Sequence, residues 1–141
     1  MKKQIIPVLA AVICDETGRI LIAKRKKNLS QGLKWEFPGG KLKIGESPGN
    51  CLKREIREEL GIDINVKEIY FAVNHQYSQK HILLLAYLAE FKSGNFLLAD
   101  HEEVQWIQVH QLRDFELSPA DIPIADKLIR QHKNLRSGAD E

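Results

Sequence analysis

The sequence has little cysteine, no long apolar run and almost no excess of charge. Its two cysteines, Cys14 and Cys51, are too few for a disulfide framework and lack the spacing of a metal site. The longest apolar stretch, residues 82–89, is far shorter than the about 20 residues that a membrane-spanning helix needs. A net charge of +2 does not indicate binding to nucleic acid or to a membrane, so we expect neither partner. The first residues lack the apolar core of a signal peptide, and we expect a cytoplasmic protein.

The composition is that of an ordinary globular domain. The 141 residues are 43% hydrophobic and 28% charged, which is enough for one buried core. Without a repeat or a linker, we expect one domain over residues 1–132. Residues 133–141 carry no apolar periodicity and are predicted to form a flexible tail. The sequence also lacks G-x-x-x-x-G-K-[ST], which excludes a Walker-type phosphate loop.

Apolar and β-branched residues alternate with turn signals along most of the chain. The pattern predicts a short extended segment at residues 35–38 and strands at 4–14, 19–26, 64–76, 81–91 and 104–109. Two helices are predicted. The first is capped by Ser47 and ends at Gly61, and the second spans residues 119–132. We expect a mixed sheet between these helices, which is an α/β/α sandwich.

Three glutamates share one face of the first predicted helix. Glu55, Glu58 and Glu59 have the spacing i, i+3 and i+4, at which like charges repel by about 0.2–0.5 kcal/mol per pair. They lie in the last turns, where the helix dipole also disfavours an anion. Pairing with Arg54 and Arg57 is one explanation of this face. A bound cation is the other, because Mg²⁺ prefers carboxylate oxygens.

The glutamates belong to a longer pattern. Residues 40–62 match G-x5-E-x7-R-E-U-x-E-E-x-G-U, where U is a bulky aliphatic residue. Together with Lys-Trp-Glu-Phe-Pro-Gly-Gly-Lys at 34–41 and Leu-Ser-Pro-Ala-Asp at 117–121, this pattern resembles the Nudix hydrolase family, and in particular its MutT branch. The resemblance covers about residues 4–132. It implies the Nudix fold in a single domain and hydrolysis of nucleoside triphosphates to monophosphate and pyrophosphate.

The resemblance favours 8-oxo-dGTP as the substrate, and with it a role in clearing mutagenic nucleotides before DNA replication and repair. Asp121 departs from the MutT branch, which has asparagine there, whereas relatives with aspartate prefer cytosine nucleotides. CTP, dCTP or 5-methyl-dCTP is therefore the alternative substrate. A non-catalytic binding module is disfavoured because every carboxylate of the pattern is present. We expect no partner beyond the nucleotide, and a monomer or weak homodimer.

The resemblance also implies a divalent cation, Mg²⁺ or alternatively Mn²⁺. Its ligands would be Glu55, Glu58 and Glu59, together with a backbone carbonyl at Gly39. Arg54 is expected to hold one of the glutamates through a charge-assisted contact. We therefore predict that these helix residues are catalytic.

Another predicted catalytic residue and metal ligand lies near the late tryptophan. The resemblance implies a glutamate in the loop before that strand, as a ligand or a base. Glu102 is the candidate, and Glu103 is the alternative because the spacing in this loop varies. A solvated acidic loop would explain both residues without a function.

Substrate contacts are expected on both sides of the pattern. Arg25 and Lys41 are candidates for phosphate binding, although each could be an ordinary surface cation. Phe37 corresponds to an aromatic residue of the base pocket, although an aromatic before a turn is also often part of a core. Asp121 would read the base or act at the third position of a capping box that begins at Ser118.

Overall fold

The computed structural model describes the backbone of residues 4–139 and the side chains of residues 4–132. Seven strands and two α-helices make up most of this part of the chain. The strands are β1 (Ile5–Cys14), β2 (Ile20–Arg25), β3 (Trp35–Glu36), β4 (Gly39–Lys41), β5 (Ile62–Gln76), β6 (His81–Gly94) and β7 (His101–Ile107). The helices are α1 (Pro48–Leu60) and α2 (Ile122–Ala139), and two short 3₁₀ helices span Val109–Asp114 and Pro119–Asp121.

The strands form one mixed sheet in the order β3-β2-β1-β6-β5. Strands β1 and β6 run parallel over the whole length of β1, and the other pairs are antiparallel. Strand β4 pairs with β1, and β7 pairs with β2. The central position of β1 explains its apolar sequence, because a strand covered on both faces has no polar side.

Two buried clusters lie on opposite faces of the sheet. Side chains of β1 alternate between them, as expected for a period of two residues. Leu9 and Ile13 pack with Ile56 of α1, whereas Ala10 and Val12 belong to the cluster that contains Ile124 of α2. The predicted α/β/α sandwich is therefore confirmed.

Helix α1 begins and ends as predicted. The Ser47 hydroxyl accepts a hydrogen bond from the Asn50 N–H at 3.2 Å, and Pro48 occupies the first helical position. Gly61 has a φ of 74°, which favours glycine, and its N–H donates to the carbonyl of Arg57. The helix packs one apolar stripe on the sheet, formed by Cys51, Leu52, Ile56 and Leu60. The packing of this stripe fixes the rotation of α1 about its axis. It therefore determines in which direction each of its glutamates points.

The second helix differs from the prediction at both ends. Pro119–Asp121 is a separate 3₁₀ helix, and α2 continues to Ala139 instead of stopping near His132. Side chains beyond His132 and residues 140–141 lie outside the described part, and the flexibility of residues 133–141 stays a prediction. Strand β7 begins at His101, three residues before the predicted start at Val104. No helix in the described part of the chain is long and apolar enough to cross a membrane.

Candidate active site

A cleft of about 230 Å³ opens beside the middle of β1 and strand β4. It is also lined by β2, the β2–β3 loop, β3, α1, the β5–β6 turn, β6 and the 3₁₀ helix before α2. These elements are far apart in sequence, so the cleft exists only in the folded chain. It brings together six of the predicted site residues, which are Arg25, Phe37, Gly39, Lys41, Glu59 and Asp121.

Arg54 organises the outer part of the predicted metal site. Its guanidinium donates to both oxygens of Glu46, with Nε–Oε2 at 2.7 Å and Nη2–Oε1 at 3.0 Å. Nη1 donates to Glu55 Oε1 at 2.8 Å and to Glu58 Oε2 at 3.3 Å. The bonds from Arg54 lower the pKa of Glu46 to about 2. Arg57 does not share this role, because it pairs with Asp63.

The three glutamates of α1 therefore have different surroundings. The Glu58 side chain is 59% exposed, whereas Glu55 is largely covered. Gly40 allows this cover, because a Cβ there would lie 2.3 Å from Glu55 Oε2. Glu59 is the one that lines the cleft.

Glu59 carries an unsatisfied carboxyl group. Its Oε2 is buried and has no hydrogen-bond partner among the described residues. Burial, followed by the charges of Glu36, Glu55 and Asp100, raises the pKa of Glu59 to about 8, and Arg25 opposes this rise. A cation beside Glu59 would satisfy the buried oxygen and offset the repulsion. The chemistry of this position fits a divalent ion with oxygen ligands.

The carboxylates are not grouped as a finished metal site. Within the described residues, no three His, Cys, Asp or Glu side chains are arranged so that they could hold an ion as they stand. Arg54 engages Glu55 and Glu58, while Glu59 faces the cleft. Both explanations of the glutamate face therefore have support, since Arg54 pairs with two of the glutamates and the third is left without a partner.

Glu36, a residue that the sequence analysis missed, lies in the same cleft. Its Oε2 is 2.9 Å from His101 Nε2 and 3.4 Å from Arg25 Nη1. Arg25 also donates from Nε to the Ser30 carbonyl at 2.7 Å. The His101 side chain is fully buried, and its contact with Glu36 holds that carboxylate in place. The one available signal was an acidic residue between the aromatic residues Trp35 and Phe37.

The predicted catalytic Glu102 is exposed on β7 and does not line the cleft. The pairing of β7 with β2 is irregular here, since Lys24 pairs with Glu103 and Arg25 with His101, and Glu102 is the unpaired residue between them. Glu103 is also exposed and accepts a hydrogen bond from Gln105. Asp100, which precedes β7, instead acts on the charge of Glu59. The role of Glu102 stays a prediction, and Asp100, which is also exposed, is a further candidate.

The loop before β7 is attached directly to α1. The Ala99 N–H donates to the Glu59 carbonyl at 3.0 Å, and the Lys26 N–H donates to the Asp100 carbonyl at 3.3 Å. These contacts hold Asp100 near the end of α1. The sequence signal was weak, because residues 100–103 contain three acidic side chains in a row of four.

The far end of the cleft contains Phe37, Tyr77, Ser118 and Asp121, which we call the base end. Phe37 is buried in the core and also lines the cleft, and its contact with a base stays a prediction. The Tyr77 hydroxyl accepts a hydrogen bond from the Ala120 N–H at 3.2 Å. The predicted capping box is wrong, because Ser118 makes no side-chain cap and its Oγ has no partner among the described residues. Asp121 belongs to the 3₁₀ helix, and the chain enters α2 only at Ile122.

Comparisons with known proteins agree with this geometry. The sequence model of the NUDIX domain matches residues 5–130. An 8-oxo-dGTP diphosphatase of Haemophilus influenzae is 33% identical over 134 residues, which is 95% of this chain and 98% of that protein. A CTP pyrophosphohydrolase of Escherichia coli is 35% identical over 123 residues, with 87% and 90% covered. The crystal structure of a MutT protein from Methanosarcina mazei superimposes with a TM-score of 0.84 at 25% identity, covering 94% of this chain and 99% of that one. The chain belongs to the Nudix hydrolase family, as the pattern at residues 40–62 predicted.

Proposed function

We propose that this protein hydrolyses nucleoside triphosphates to a monophosphate and pyrophosphate, with Mg²⁺ or Mn²⁺ as its cofactor. The observation that carries the proposal is the buried, unpartnered Oε2 of Glu59 in a cleft that is also lined by Phe37 and Asp121. A divalent ion suits Glu59, and a base suits Phe37 and Asp121. Arg25 and Lys41 line the same cleft, where they would contact the triphosphate.

The chain offers oxygen ligands for the ion on α1 and beside it. Glu59, Glu55 and Glu58 are the proposed ligands, with the backbone at Gly39 and the carboxylate of Asp100 close to the same end. When bound, the ion supplies charge for the leaving pyrophosphate and lowers the pKa of a water molecule. Arg54 positions Glu55, because its guanidinium donates to both Glu55 and Glu46 and so links the two side chains.

The remaining residues bind and orient the substrate. Arg25 is held by Glu36 and the Ser30 carbonyl, so its guanidinium is fixed before a nucleotide arrives. Phe37 forms an apolar wall for the base. Asp121 supplies the polar contact that identifies it. Water attacks the α-phosphorus and gives its proton to a cleft carboxylate. The bond from the α-phosphorus to the oxygen that bridges it to the β-phosphorus breaks, and pyrophosphate leaves.

Two bases are candidates for this site. The resemblance to the MutT branch favours 8-oxo-dGTP, and a relative that shares 33% of its residues carries that name. A cytosine nucleotide is supported by Asp121 and by the similarity to a CTP pyrophosphohydrolase. In either case we propose that the protein removes an unwanted nucleotide from the pool as a cytoplasmic monomer or weak homodimer.

Product analysis tests the reaction. The protein is incubated with 8-oxo-dGTP, dGTP, CTP and dCTP in Mg²⁺, and the products are separated by ion-exchange chromatography. Monophosphate and pyrophosphate should appear together, and EDTA should abolish both. Release of orthophosphate as the first product, or unchanged turnover in EDTA, would contradict the proposal. Glu16→Gln, in an exposed turn, is a matched control for the glutamate variants of α1.

A further inference from the structure

Three side chains from three paired strands meet at the end of β2. Arg25 is the last residue of β2 and pairs with His101, the first residue of β7. Strand β3 also pairs with β2 and contributes Glu36, which lies opposite Ala23. The carboxylate of Glu36 is within hydrogen-bond distance of both the His101 ring and the Arg25 guanidinium. The pairing of the strands therefore joins these side chains into one connected group.

The imidazole of His101 is completely buried and makes one polar contact with the described residues. Its Nε2 lies 2.9 Å from Glu36 Oε2, whereas its Nδ1 is buried without a partner among those residues. A carboxylate only accepts hydrogen bonds, so Nε2 carries the hydrogen and donates to Glu36. An apolar side chain would fill the same space without leaving a buried nitrogen unsatisfied. The property of His101 that this position uses is therefore its N–H donor.

The loop between β2 and β3 holds the rest of Arg25. The Nε of Arg25 donates to the Ser30 carbonyl at 2.7 Å. Its backbone N–H donates to the Lys34 carbonyl at 3.0 Å, and its carbonyl accepts from the Leu33 N–H at 2.9 Å. Gln31 and Leu33 have φ values of 56° and 63°, which are uncommon for residues other than glycine and persist where surrounding contacts determine the backbone. The position of Arg25 is therefore specified by this loop together with Glu36.

We propose that His101 is a positioning residue for the triphosphate. Its buried N–H fixes the carboxylate of Glu36, and Glu36 fixes the guanidinium of Arg25, which lines the cleft. The His101 side chain has no exposed surface and would not touch the substrate itself. This inference rests on the proposed function, in which Arg25 contacts the triphosphate. It assigns to His101 an effect on the binding of the phosphate chain rather than on the chemistry at the metal end.

Two substitutions separate the donor of the ring from its volume. His101→Leu keeps a buried side chain at this position but has no N–H. His101→Gln places an amide N–H as many bonds from the backbone as Nε2 and, like histidine, has a second polar atom that finds no partner there. In Mg²⁺, KM for both CTP and 8-oxo-dGTP should rise about tenfold in His101→Leu and stay within about threefold of the wild type in His101→Gln, while kcat changes less than KM. If the side chain only fills the core, folded His101→Leu will have the KM of the wild type, and the proposal is wrong.

His101 lies between Asp100 and Glu102, so the metal end needs a control. The Mg²⁺ concentration that gives half of the maximal rate should be the same in His101→Leu and the wild type. A change in that concentration as large as the change in KM would show that the substitution acts through these acidic neighbours, and would refute the proposal. Combination with Glu36→Gln tests the route. The double variant should have the KM of Glu36→Gln alone, whereas effects that multiply would show that His101 does not act through Glu36.

Measurements without turnover complete the test. Calorimetric titration of inorganic tripolyphosphate in EDTA should give a dissociation constant about tenfold higher for His101→Leu than for the wild type and His101→Gln. In the wild type, ¹⁵N NMR at pH 7 should show a proton on Nε2 of His101, a result that does not depend on the folding of any variant. An Nε2 without a proton, or equal tripolyphosphate affinity in the folded proteins, would overturn the proposal. Neither measurement needs hydrolysis, so failure of the proposed reaction is distinguishable from failure of this inference.

Discussion

The two ends of the cleft place a carboxyl of raised pKa in very different settings. At the α1 end, the glutamate face of Glu55, Glu58 and Glu59 comes from one helix and lies among other carboxylates. At the base end, Asp121 is buried, and Glu36 is the one carboxylate whose charge raises its pKa. The first setting favours a cation, and the second favours a neutral group. The same side-chain chemistry is therefore directed to different tasks by its neighbours.

The ends also differ in how function relates to stability. The buried Oε2 of the Glu59 carboxyl makes no hydrogen bond with a described residue, and burial of this carboxyl without a partner opposes folding. Phe37 is part of the core cluster as well as the cleft wall. At the α1 end, a substitution should therefore lower activity without lowering stability. At the base end, a substitution should lower both. The following predictions test this difference.

Glu59→Gln should have the largest effect. Turnover should fall on the order of 10³-fold, because a charged ligand is lost at the reacting end. The free energy of unfolding in EDTA near neutral pH should rise by roughly 1–3 kcal/mol, because the wild type must either bury an unpartnered charge or take up a proton to neutralise it. Steady-state rates and thermal melts measure the two quantities. Glu58→Gln, at an exposed position, should reduce turnover without raising stability to the same extent.

The stability difference has a defined dependence on pH. The pKa of Glu59 is raised to about 8 in the folded protein from its ordinary value of 4.5, so the folded state binds the proton more tightly. The metal-free wild type should therefore lose stability relative to Glu59→Gln as the pH rises from 4.5 to 8, with no further change above that. A difference between their melting temperatures that does not vary with pH would contradict the electrostatic explanation.

Phe37→Ala should lower activity and stability together. Removal of a buried aromatic side chain costs about 3–5 kcal/mol of unfolding free energy, and the base also loses its wall. Phe37→Leu is the matched control, since it retains much of the apolar volume. It should recover most of the stability while KM stays raised. If Phe37→Ala changed KM without lowering the melting temperature, the joined roles of this residue would be refuted.

Asp100→Asn and Glu102→Gln test the assignment of the acidic residue near β7. We expect Asp100→Asn to reduce turnover about tenfold, because its charge acts on Glu59, and Glu102→Gln to behave like the wild type. In metal titrations that are followed by activity, only Asp100→Asn should need a higher metal concentration to reach half of its maximal rate. The reverse result would restore the sequence-based prediction for Glu102.

Ser47→Ala should have the smallest effect. It removes the hydroxyl that accepts from the Asn50 N–H at 3.2 Å, which costs about 1 kcal/mol of unfolding free energy. Turnover of the folded protein should not change, because Ser47 does not line the cleft. Denaturant unfolding measures the loss. A large fall in kcat would show that the position of the glutamate face depends on this cap.

Patterns along the chain were sufficient where a feature depends on neighbouring residues. Both ends of α1 follow from spacing, and the structure confirms them. The start of β7 did not follow from spacing. Its acidic residues show no alternation, and pairing of His101 with Arg25 of β2 extends the strand. The capping box failed because the chain forms a 3₁₀ helix at Pro119–Asp121 before α2.

The sequence by itself determined the family and the glutamate face, because both lie in one continuous segment whose helical geometry is known in advance. Only the tertiary structure decided that Glu59 faces the cleft without a partner, that Glu36 lies between Arg25 and His101, and that Asp121 is buried at the wall of the same cleft. Burial and the distances between charges set the pKa of a carboxyl group, and they depend on segments that fold together from distant positions. For this reason, the base that the cleft reads is a property of the folded chain, whereas the phosphate chemistry can be inferred from residues 40–62.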